Sequence, residues 1–537
     1  MDAAAIYARR WWTLGVLCMS LLVIGIDNTI LNVALPTLTR ELHATTTQLQ
    51  WIVDGYTLVF AGLLLTAGSL GDRFGRRGAL TLGLVIFGGG SLLSALAASP
   101  SQLIATRCLM GIGGAFIMPA TLSILTNVFT VPTERARAIA IWAGFSAMGI
   151  AFGPISGGYL LQHFSWSSVF VVNLPIVVVA LIGGRLFIPT SKDPSAPRLD
   201  PMGAALSIAG LTALLYGIIE APTYGWGDST TLAAFALAVV LLGAFVAWEL
   251  HSDHPMLDVH FFDNPRFTAA SLAVTLTFFA LFGALFLLTQ YLQIVLGYSA
   301  LKAGAALIPV AAVLMVSAPL SAKLVEGVGT KVIVAAGLVG VAAGLGVMST
   351  LGAGSGYGPV LLSLVILGAG MGFTMAPATE SIMGSLPLGK AGVGSAVNDT
   401  TRQVGGALGV AILGSLVSSS YGTRVVEAFR AGGVRGPGVA AARDSIGGAV
   451  AVAQGVGGAP GRALATAARV AYVDAMAPAV VVAGIAALIG AVIAVVFLPA
   501  RAPEPPAPAG EEIGGLAGDG GDDGGDDDLP ALERAGA

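Results

Sequence analysis

The chain has 537 residues, of which 55% are hydrophobic and only 10% are charged, and its mean hydropathy is +0.85. This composition excludes an ordinary soluble globule, because too few polar side chains are available to coat one. The formal net charge is −4, and no basic patch indicates a nucleic-acid partner. The two cysteines, Cys18 and Cys108, lie in apolar runs and provide neither a disulfide framework nor a metal-ligand spacing.

Runs of about 20 apolar residues, each long enough to cross a bilayer as a helix, recur along almost the whole chain. They lack the alternation of a barrel strand, so the predicted fold class is an all-α integral membrane protein. Fourteen transmembrane helices are predicted, at residues 12–36, 51–70, 79–98, 102–125, 137–161, 168–188, 203–220, 231–249, 267–296, 303–324, 331–350, 359–379, 402–420 and 476–498.

The distribution of basic residues predicts the orientation. Arg9 and Arg10 precede a first span without a cleavage site, so this span is expected to be retained. The loops on the N-terminal side contain Arg73, Arg76, Arg77, Arg135, Arg137, Lys192, Arg198, Arg266, Lys323, Lys331, Lys390 and Arg402. Both termini are therefore predicted to be cytoplasmic, in a multi-pass protein of a bacterial plasma membrane. One segment disagrees, because residues 421–470 carry six arginines on the predicted outer side.

Five regions are predicted along the chain, and an internal repeat relates two of them. They are a cytoplasmic N-terminus (1–11), an N-terminal six-helix bundle (12–188), a linker with two extra transmembrane helices (189–250), a C-terminal six-helix bundle (251–498) with a long outer loop (421–475), and a disordered acidic cytoplasmic tail (499–537). GSLGDRFGRR (68–77) aligns without gaps to AKLVEGVGTK (322–331), which pairs Gly75 with Gly329. Repeated halves are typical of transporters whose substrate site lies between two bundles.

Five motifs in chain order resemble signatures of the major facilitator superfamily and of its fourteen-span drug:proton antiporter branch. They are IDNTILNVALP (26–36), GSLGDRFGRR (68–77), RCLMGIGGA (107–115), GIAFGPISGG (149–158) and NDTTRQVGGALG (398–409). The resemblance extends to about residue 500. It implies the major facilitator fold, with two six-helix bundles, two extra central helices and proton-driven export of hydrophobic compounds.

The loop motif after the second span predicts a cytoplasmic latch between the bundles. Its glycines allow a tight turn and close helix approach, and its charges can interact with helix ends. The residues are Gly68, Asp72, Arg73, Gly75, Arg76 and Arg77. A plain basic loop that only keeps charge inside is the alternative.

The fifth-span motif predicts a close helix contact. Gly149, Gly153 and Gly157 lie four residues apart on one stripe, Gly158 follows, and Pro154 bends the helix. Ordinary packing of small residues explains this pattern equally well, and only the resemblance connects it with export.

Asp27 and Arg107 are the candidates for proton coupling. Asp27 follows about 15 apolar residues, which is too deep for its side chain to reach the cytoplasm, so it must be protonated or paired. Arg107 is the expected partner, since Gly111 and Gly114 share its helix face. Two alternatives remain: Asp27 is a structural acid that bonds neighbouring helices, or Arg107 extends to the outer boundary.

Two further acids are candidates for binding a substrate or a proton. Asp54, three residues after Trp51, suits either the membrane boundary or a substrate site. The segment WIVDGY resembles members of the family that export lipophilic cations, which implies a cation site at Asp54. Glu380 follows Pro377 at the inner end of a span, where a solvated helix end is the alternative. Four phenylalanines at helical spacing are expected either to line a hydrophobic pocket or to face lipid or the helix core. They are Phe278, Phe279, Phe282 and Phe286.

The predicted function is export of hydrophobic, cationic drugs or antibiotics by a monomeric secondary transporter driven by inward proton flow. An uptake symporter on the same fold and a membrane sensor without turnover are the alternatives. The chain has no GxxxxGK[ST] motif for ATP, and neither an enzyme, a cofactor nor a metal site is expected. Its partners are the substrate, protons and the lipid bilayer.

Overall fold

A computed structural model describes residues 3–191, 200–253, 255, 257–386 and 391–499. Some side chains within these ranges, including that of Asp72, are outside the described part. The predicted acidic tail beyond Pro499, and the loop residues Lys192, Arg198 and Lys390, also lie outside it. The described residues form helices and connecting turns, which confirms the all-α class.

The N-terminal helices pack on one another and are followed by an extra pair. The N-terminal group comprises α1 (Ala3–Glu41), α2 (Thr46–Phe74), α3 (Arg76–Ala95), α4 (Pro100–Val128), α5 (Pro132–His163), α6 (Ser168–Val171) and α7 (Asn173–Phe187). The extra pair comprises α8 (Pro201–Tyr224) and α9 (Ser229–His251). Of this pair, α8 contacts both α2 and α15, a helix of the C-terminal group.

The C-terminal helices form the second packed group. They are α10 (Pro265–Gln290), α11 (Ala300–Ala306), α12 (Ile308–Val328), α13 (Thr330–Ser349), α14 (Tyr357–Met383), α15 (Ala391–Ala431), α16 (Pro437–Asp444), α17 (Ile446–Val456) and α18 (Gly458–Phe497). A 3₁₀ turn (Val259–Asp263) precedes α10, and a π turn (Tyr291–Val295) extends it.

Length and composition suit many of these helices to a bilayer. Within the described residues, 12 helical segments are long and apolar enough to cross one, and α17 is a shorter apolar helix. Two further helices, α2 and α5, contain 29 and 32 residues. Large apolar side chains such as Val239 and Val240 on α9 are 73% and 65% exposed, as expected where lipid is the solvent.

Local sequence signals determine where key helices begin. Thr45 and Gln48 form a capping box at the start of α2: Thr45 Oγ1 accepts from the Gln48 amide at 3.2 Å, and Gln48 Oε1 accepts from the Thr45 amide at 3.0 Å. Gly75 separates α2 from α3 with φ of 126°, and the aligned Gly329 separates α12 from α13 with φ of 93°. Positive φ favours glycine at both positions, so the two halves of the repeat share a turn as well as a sequence pattern.

The predicted long loop over residues 421–475 is largely helical. The end of α15, all of α16 and α17, and the start of α18 occupy it. Alanine-rich sequence favours helix here, and Ser445 caps α17 by accepting from the Gly448 amide at 3.0 Å. The sequence predicts a loop here because its apolar run, Ile446–Val456, has only 11 residues and is too short to span a membrane, whereas a helix needs no such length.

The two groups of helices meet at one end of the molecule. We call this the outer end, and the end that contains Arg10 and Gly75 the inner end, following the predicted orientation. Gln50 Nε2 of α2 donates to the Ala411 carbonyl of α15 at 2.9 Å. Gln293 Nε2, in the π turn after α10, donates to the Val33 carbonyl of α1 at 2.8 Å. These bonds join the N-terminal group to the C-terminal group, so the outer end is closed.

We predict that Gly304→Val opens the outer end. A Cβ at Gly304 would overlap the Pro154 carbonyl, so the larger side chain must separate α11 from α5. Spin labels at the exposed positions His163 and Gly354, on a cysteine-free background, should report a longer distance. The matched control is Gly243→Val on α9, where no atom lies within 4 Å of the added Cβ. An unchanged distance in Gly304→Val would show that this contact does not hold the outer end closed.

Candidate functional site

A buried ion pair connects α1 with α4. The Arg107 Nη1 atom lies 2.5 Å from Asp27 Oδ2, and the two residues are 1% and 0% exposed. The prediction that Asp27 finds its partner in Arg107 is confirmed. The alternative in which Arg107 extends to the outer boundary is wrong, because its guanidinium points into the helix packing instead.

Neighbouring polar and aromatic groups hold this pair in place. Arg107 Nε donates to the Ile52 carbonyl of α2 at 3.2 Å, and the guanidinium carbon lies 4.4 Å from the ring centre of Tyr56. Asn173 Nδ2 lies 3.3 Å from the other carboxylate oxygen of Asp27 and 3.1 Å from Ser91 Oγ. Four helices, α1, α2, α4 and α7, therefore meet at the pair.

Sequence reasoning missed Asn173 and Tyr56. Asn173 is a lone polar residue in the apolar run VFVVNLPIVVV, and such a residue within a span is a signal for a buried contact. Tyr56 carries no comparable signal, because a tyrosine five residues after Trp51 suits the membrane boundary equally well.

Glycines let the helices approach closely enough to enclose Arg107. A Cβ on Gly111 would lie 2.5 Å from the Tyr56 carbonyl oxygen, and one on Gly114 would lie 3.0 Å from the Tyr56 hydroxyl. Larger side chains would push α4 away from α2. The prediction that the arginine passes between closely packed helices is confirmed.

The fifth-span glycines face two different partners. A Cβ on Gly149 would lie 2.7 Å from Gly25 Cα, and one on Gly153 would overlap the Thr29 hydroxyl, so this part of the stripe packs against α1 beside Asp27. A Cβ on Gly158 would lie 2.5 Å from the Cα of Leu301 on α11. The motif therefore packs within the N-terminal group at one end and against the C-terminal group at the other. Gly157 continues the stripe against Ile30.

Asp54 is fully buried in the helix packing, and its position at the membrane boundary or in a site stays a prediction. It lies eight residues into α2, about 12 Å from the helix start. Neither carboxylate oxygen has a hydrogen-bond partner among the described residues. Gln50 and Leu58, one turn away on either side, contact α15, so Asp54 lies in the seam between α2 and α15.

A small apolar cavity of about 40 Å³ lies between the two groups of helices. Its lining is Thr29, Asn32, Pro154, Phe278, Leu281, Leu285, Leu307, Val310, Ala311, Leu314, Met371 and Met375. Of the four candidate phenylalanines only Phe278 belongs to this lining. The ring of Phe282 stacks on the ring of Phe278, with 6.0 Å between the ring centres. Asn32 Oδ1 is buried without a hydrogen-bond partner among the described residues, so it offers a polar contact to a ligand.

A second charged pair lies on α15, in the motif NDTTRQVGGALG. Arg402 Nη1 lies 3.8 Å from Asp399 Oδ1, and Arg402 Nη2 donates to Thr379 Oγ1 at 3.4 Å. The guanidinium carbon lies 5.5 Å from the ring centre of Phe278, which lines the cavity. Sequence reasoning treated Arg402 as an inner basic residue and did not identify this cluster, because the partner Thr379 comes from another helix.

The latch residues contact the N-terminal group in this conformation. Arg77 Nη1 donates to the Ile188 carbonyl at the end of α7 at 3.3 Å, and Arg76 Nη1 donates to the Ser123 carbonyl of α4 at 3.5 Å. Arg73 is exposed, and a Cβ on Gly68 would lie 3.4 Å from Pro119 Cβ. Arg77 therefore contacts a helix end, as predicted, whereas Arg76 contacts a carbonyl inside α4. A bond between the two groups remains a prediction.

Glu380 is exposed near the inner end of α14. This position agrees with a solvated helix end, the alternative given for it above. It is not part of the lining of the apolar cavity.

Comparison with known proteins identifies one matching family and several relatives named for efflux, export or drug resistance. A profile described as Major Facilitator Superfamily matches residues 17–410. The multidrug efflux pump LfrA of Mycolicibacterium smegmatis is 37% identical over 486 residues, covering 90% of this chain and 95% of that protein. The tetracenomycin C resistance and export protein of Streptomyces glaucescens is 34% identical over 518 residues, covering 94% and 96%. The methyl viologen resistance protein SmvA of Salmonella typhimurium is 33% identical over 479 residues, covering 87% and 93%.

Solved structures share the fold at lower identity. A bacterial homologue of the human lysosomal transporter Spinster has a TM-score of 0.64 and 19% identity, covering 93% of this chain and 99% of that one. A D-xylose–proton symporter has a TM-score of 0.59 and 13% identity, covering 92% and 98%. Similarity at this level concerns the fold alone.

We predict that Arg107→Leu lowers the free energy of unfolding by about 3–5 kcal/mol, because it leaves the Asp27 carboxylate buried without its partner. The double variant Asp27→Asn/Arg107→Leu should recover part of that loss, since no charge then remains buried. Denaturant titration in mixed micelles measures both. A double variant as unstable as the single one would mean that the guanidinium stabilises the fold through packing rather than through its charge.

Proposed function

This chain belongs to the major facilitator superfamily, and on that premise we propose that it is a proton-coupled antiporter that exports hydrophobic, cationic drugs or antibiotics across a bacterial plasma membrane. Relatives named for multidrug efflux, tetracenomycin C export and methyl viologen resistance support export rather than uptake by a symporter. The observation that carries the mechanism is the buried Asp27–Arg107 pair.

The proposed architecture has fourteen transmembrane helices. The 12 candidate spans together with α2 and α5 give this number, arranged as two six-helix bundles with α8 and α9 between them. The N-terminal helices, α1–α7, form one bundle, and the C-terminal helices, α10–α18, form the other. The transporter is proposed to act as a monomer with both termini in the cytoplasm.

Asp27 is proposed to carry the proton. Arg107 holds the Asp27 carboxylate in a conformation whose outer end is closed, and this conformation is proposed to follow release of the proton to the inside. Protonation would remove the charge that Arg107 attracts, which loosens the contact between α1 and α4. Thr29, two residues after Asp27, bonds the Gly149 carbonyl at 3.3 Å, so a change at Asp27 acts directly on α5.

The fifth-span motif is proposed to transmit this change to the C-terminal group. Gly153 packs on α1 beside Asp27, and Gly158 and Pro154 pack on α11. A shift of α5 against α1 therefore alters the contact that closes the outer end. The latch residues are proposed to connect the two bundles at the inner end when that end closes and the outer end opens.

The apolar cavity is proposed to bind the substrate. Its side chains are aliphatic or aromatic with two methionines, and Thr29 and Asn32 supply its few polar atoms. Such a lining favours bulky hydrophobic compounds of varied shape, since methionine adapts its shape at little cost. Asp54 and Glu380 are proposed as further acids that attract cations or protons when the bundles move apart.

We predict that Asp27→Asn abolishes export against a gradient while leaving downhill substrate exchange intact. Asparagine keeps the size and part of the hydrogen bonding of aspartate but cannot exchange a proton. Transport of a fluorescent lipophilic cation into inverted vesicles, with and without a proton gradient, measures the two modes separately.

The matched control for this test is Asp474→Asn, which removes an aspartate that is half-exposed in a surface pair with Arg424. It should change export little, because exposed pairs contribute at most about 1 kcal/mol. Uphill export by Asp27→Asn with unchanged pH dependence would place the proton path elsewhere. Failure of the variant to reach the membrane would instead support the structural role of Asp27.

We predict that Asp54→Asn reduces export of permanently cationic substrates at least about tenfold more than export of neutral ones. A carboxylate attracts a cation by more than ~1.4 kcal/mol at low dielectric, whereas it offers a neutral compound no such gain. Initial export rates at equal expression, for one substrate of each class, measure the difference. Equal losses for both classes would assign Asp54 to the packing of the α2–α15 seam and remove the support for cation preference.

A further inference from the structure

The outer end carries a basic pocket that the export mechanism does not use. Three arginines, Arg430, Arg435 and Arg443, line a concavity of about 930 Å³ between the end of α15 and the helix α16. All three are exposed. They belong to the segment whose arginines depart from the basic-residue distribution of the other loops.

The pocket has an excess of positive charge. Within the described residues, none of its three arginines forms an ion pair, whereas the nearby Arg424 pairs with Asp474 at 2.9 Å. Glu427 is the one acidic side chain in the lining, so the lining carries a formal charge of +2 by this count of three arginines and one glutamate. Asp444, which interacts with Arg443 from outside the lining, reduces the local excess to +1. Like charges gathered in one concavity repel one another, and an anion in the pocket relieves that repulsion.

Packed helices form the walls of the pocket. The Arg443 side chain crosses α15 at Gly422, where an added Cβ would lie 3.4 Å from Arg443 Cγ. On α16, Val439 and Ala442 are buried, and Ser445 caps the next helix. Arg430 and Arg443 are therefore presented by helices, which reduces the entropy lost when a ligand binds, and Arg435 lies in the turn between these helices.

The pocket begins at the level of the membrane boundary. Tyr224 and Trp226 are exposed at the turn between α8 and α9, as is typical of aromatic residues at the interface. Trp226 Nε1 donates to Ser419 Oγ on α15 at 3.4 Å. The pocket residue Thr423 lies one turn further along the same helix face, about 6 Å outward. The predicted span at 402–420 ends just before Thr423, so lipid headgroups are expected near this residue.

We propose that this pocket binds the phosphate-bearing headgroup of an anionic phospholipid from the leaflet at the outer end. Guanidinium groups bind phosphate oxygens through paired hydrogen bonds, and arginine binds phosphate in this way better than lysine. Side chains of α15 lean toward its N-terminus, and therefore back toward the bilayer, which brings Arg430 closer to the headgroup layer. The bound lipid ties α15 to α16 where the C-terminal group contacts the N-terminal group.

Lipid retention by the purified full chain tests this proposal. Native mass spectrometry with phosphatidylglycerol and with phosphatidylcholine should show preferential retention of phosphatidylglycerol. The pair Arg430→Gln/Arg443→Gln should weaken that retention at least about tenfold, because charge-assisted hydrogen bonds are lost. The control pair Arg424→Gln/Arg462→Gln removes the same charge outside the pocket and should leave retention within about twofold.

The complementary variant is Glu427→Gln, which should strengthen retention of phosphatidylglycerol by removing the acid from the pocket. Equal losses in the pocket pair and the control pair would reduce the effect to bulk charge and overturn the proposal. Full displacement of the lipid by millimolar inorganic phosphate would also overturn it, in favour of a free-anion site. These readouts do not depend on export, so they remain valid if the proposed function fails.

Discussion

The Asp27–Arg107 ion pair is buried among apolar helices, and the rest of the structure depends on accommodating it there. Asp27 and Arg107 are both removed from solvent, and each would be costly to bury alone. The solution is geometric: glycines on α4 bring α2 within contact of the arginine, and α7 supplies an amide to the second carboxylate oxygen. Four helices are positioned by the need to satisfy one pair.

This constraint also connects the pair to the closure of the outer end. Helix α5 packs next to the pair. Its glycine stripe contacts α1 beside Asp27 and continues to a contact with α11. Close backbone contacts of this kind have little room to deform gradually, so a local change is passed on as a shift of a whole helix. A carboxylate in the N-terminal group can thereby affect a contact made by the C-terminal group.

The sequence predicted the helices, the Asp27–Arg107 pair and the glycine turns better than it predicted which helix faces pack against each other. A lone acid and a lone arginine in apolar spans, the arginine with Gly111 and Gly114 on its helix face, left few other partners available. The aligned glycines Gly75 and Gly329 likewise required a shared turn. In contrast, the burial of Asp54 depends on how α2 meets α15, and helix crossing is decided by many side chains at once. The helices after residue 421 were missed because hydropathy reports membrane spans and not helices as such.

The two charged pairs differ in what they can couple. Asp399 and Arg402 are three residues apart on α15, so helix movement leaves their relative position nearly unchanged. Asp27 and Arg107 belong to different helices, and their 2.5 Å contact exists only while α1 and α4 remain in register. Protonation of a carboxylate changes a conformation only when the charged and neutral forms favour different helix arrangements. The pair between helices meets that condition directly, and this is the reason for proposing proton coupling in the N-terminal group.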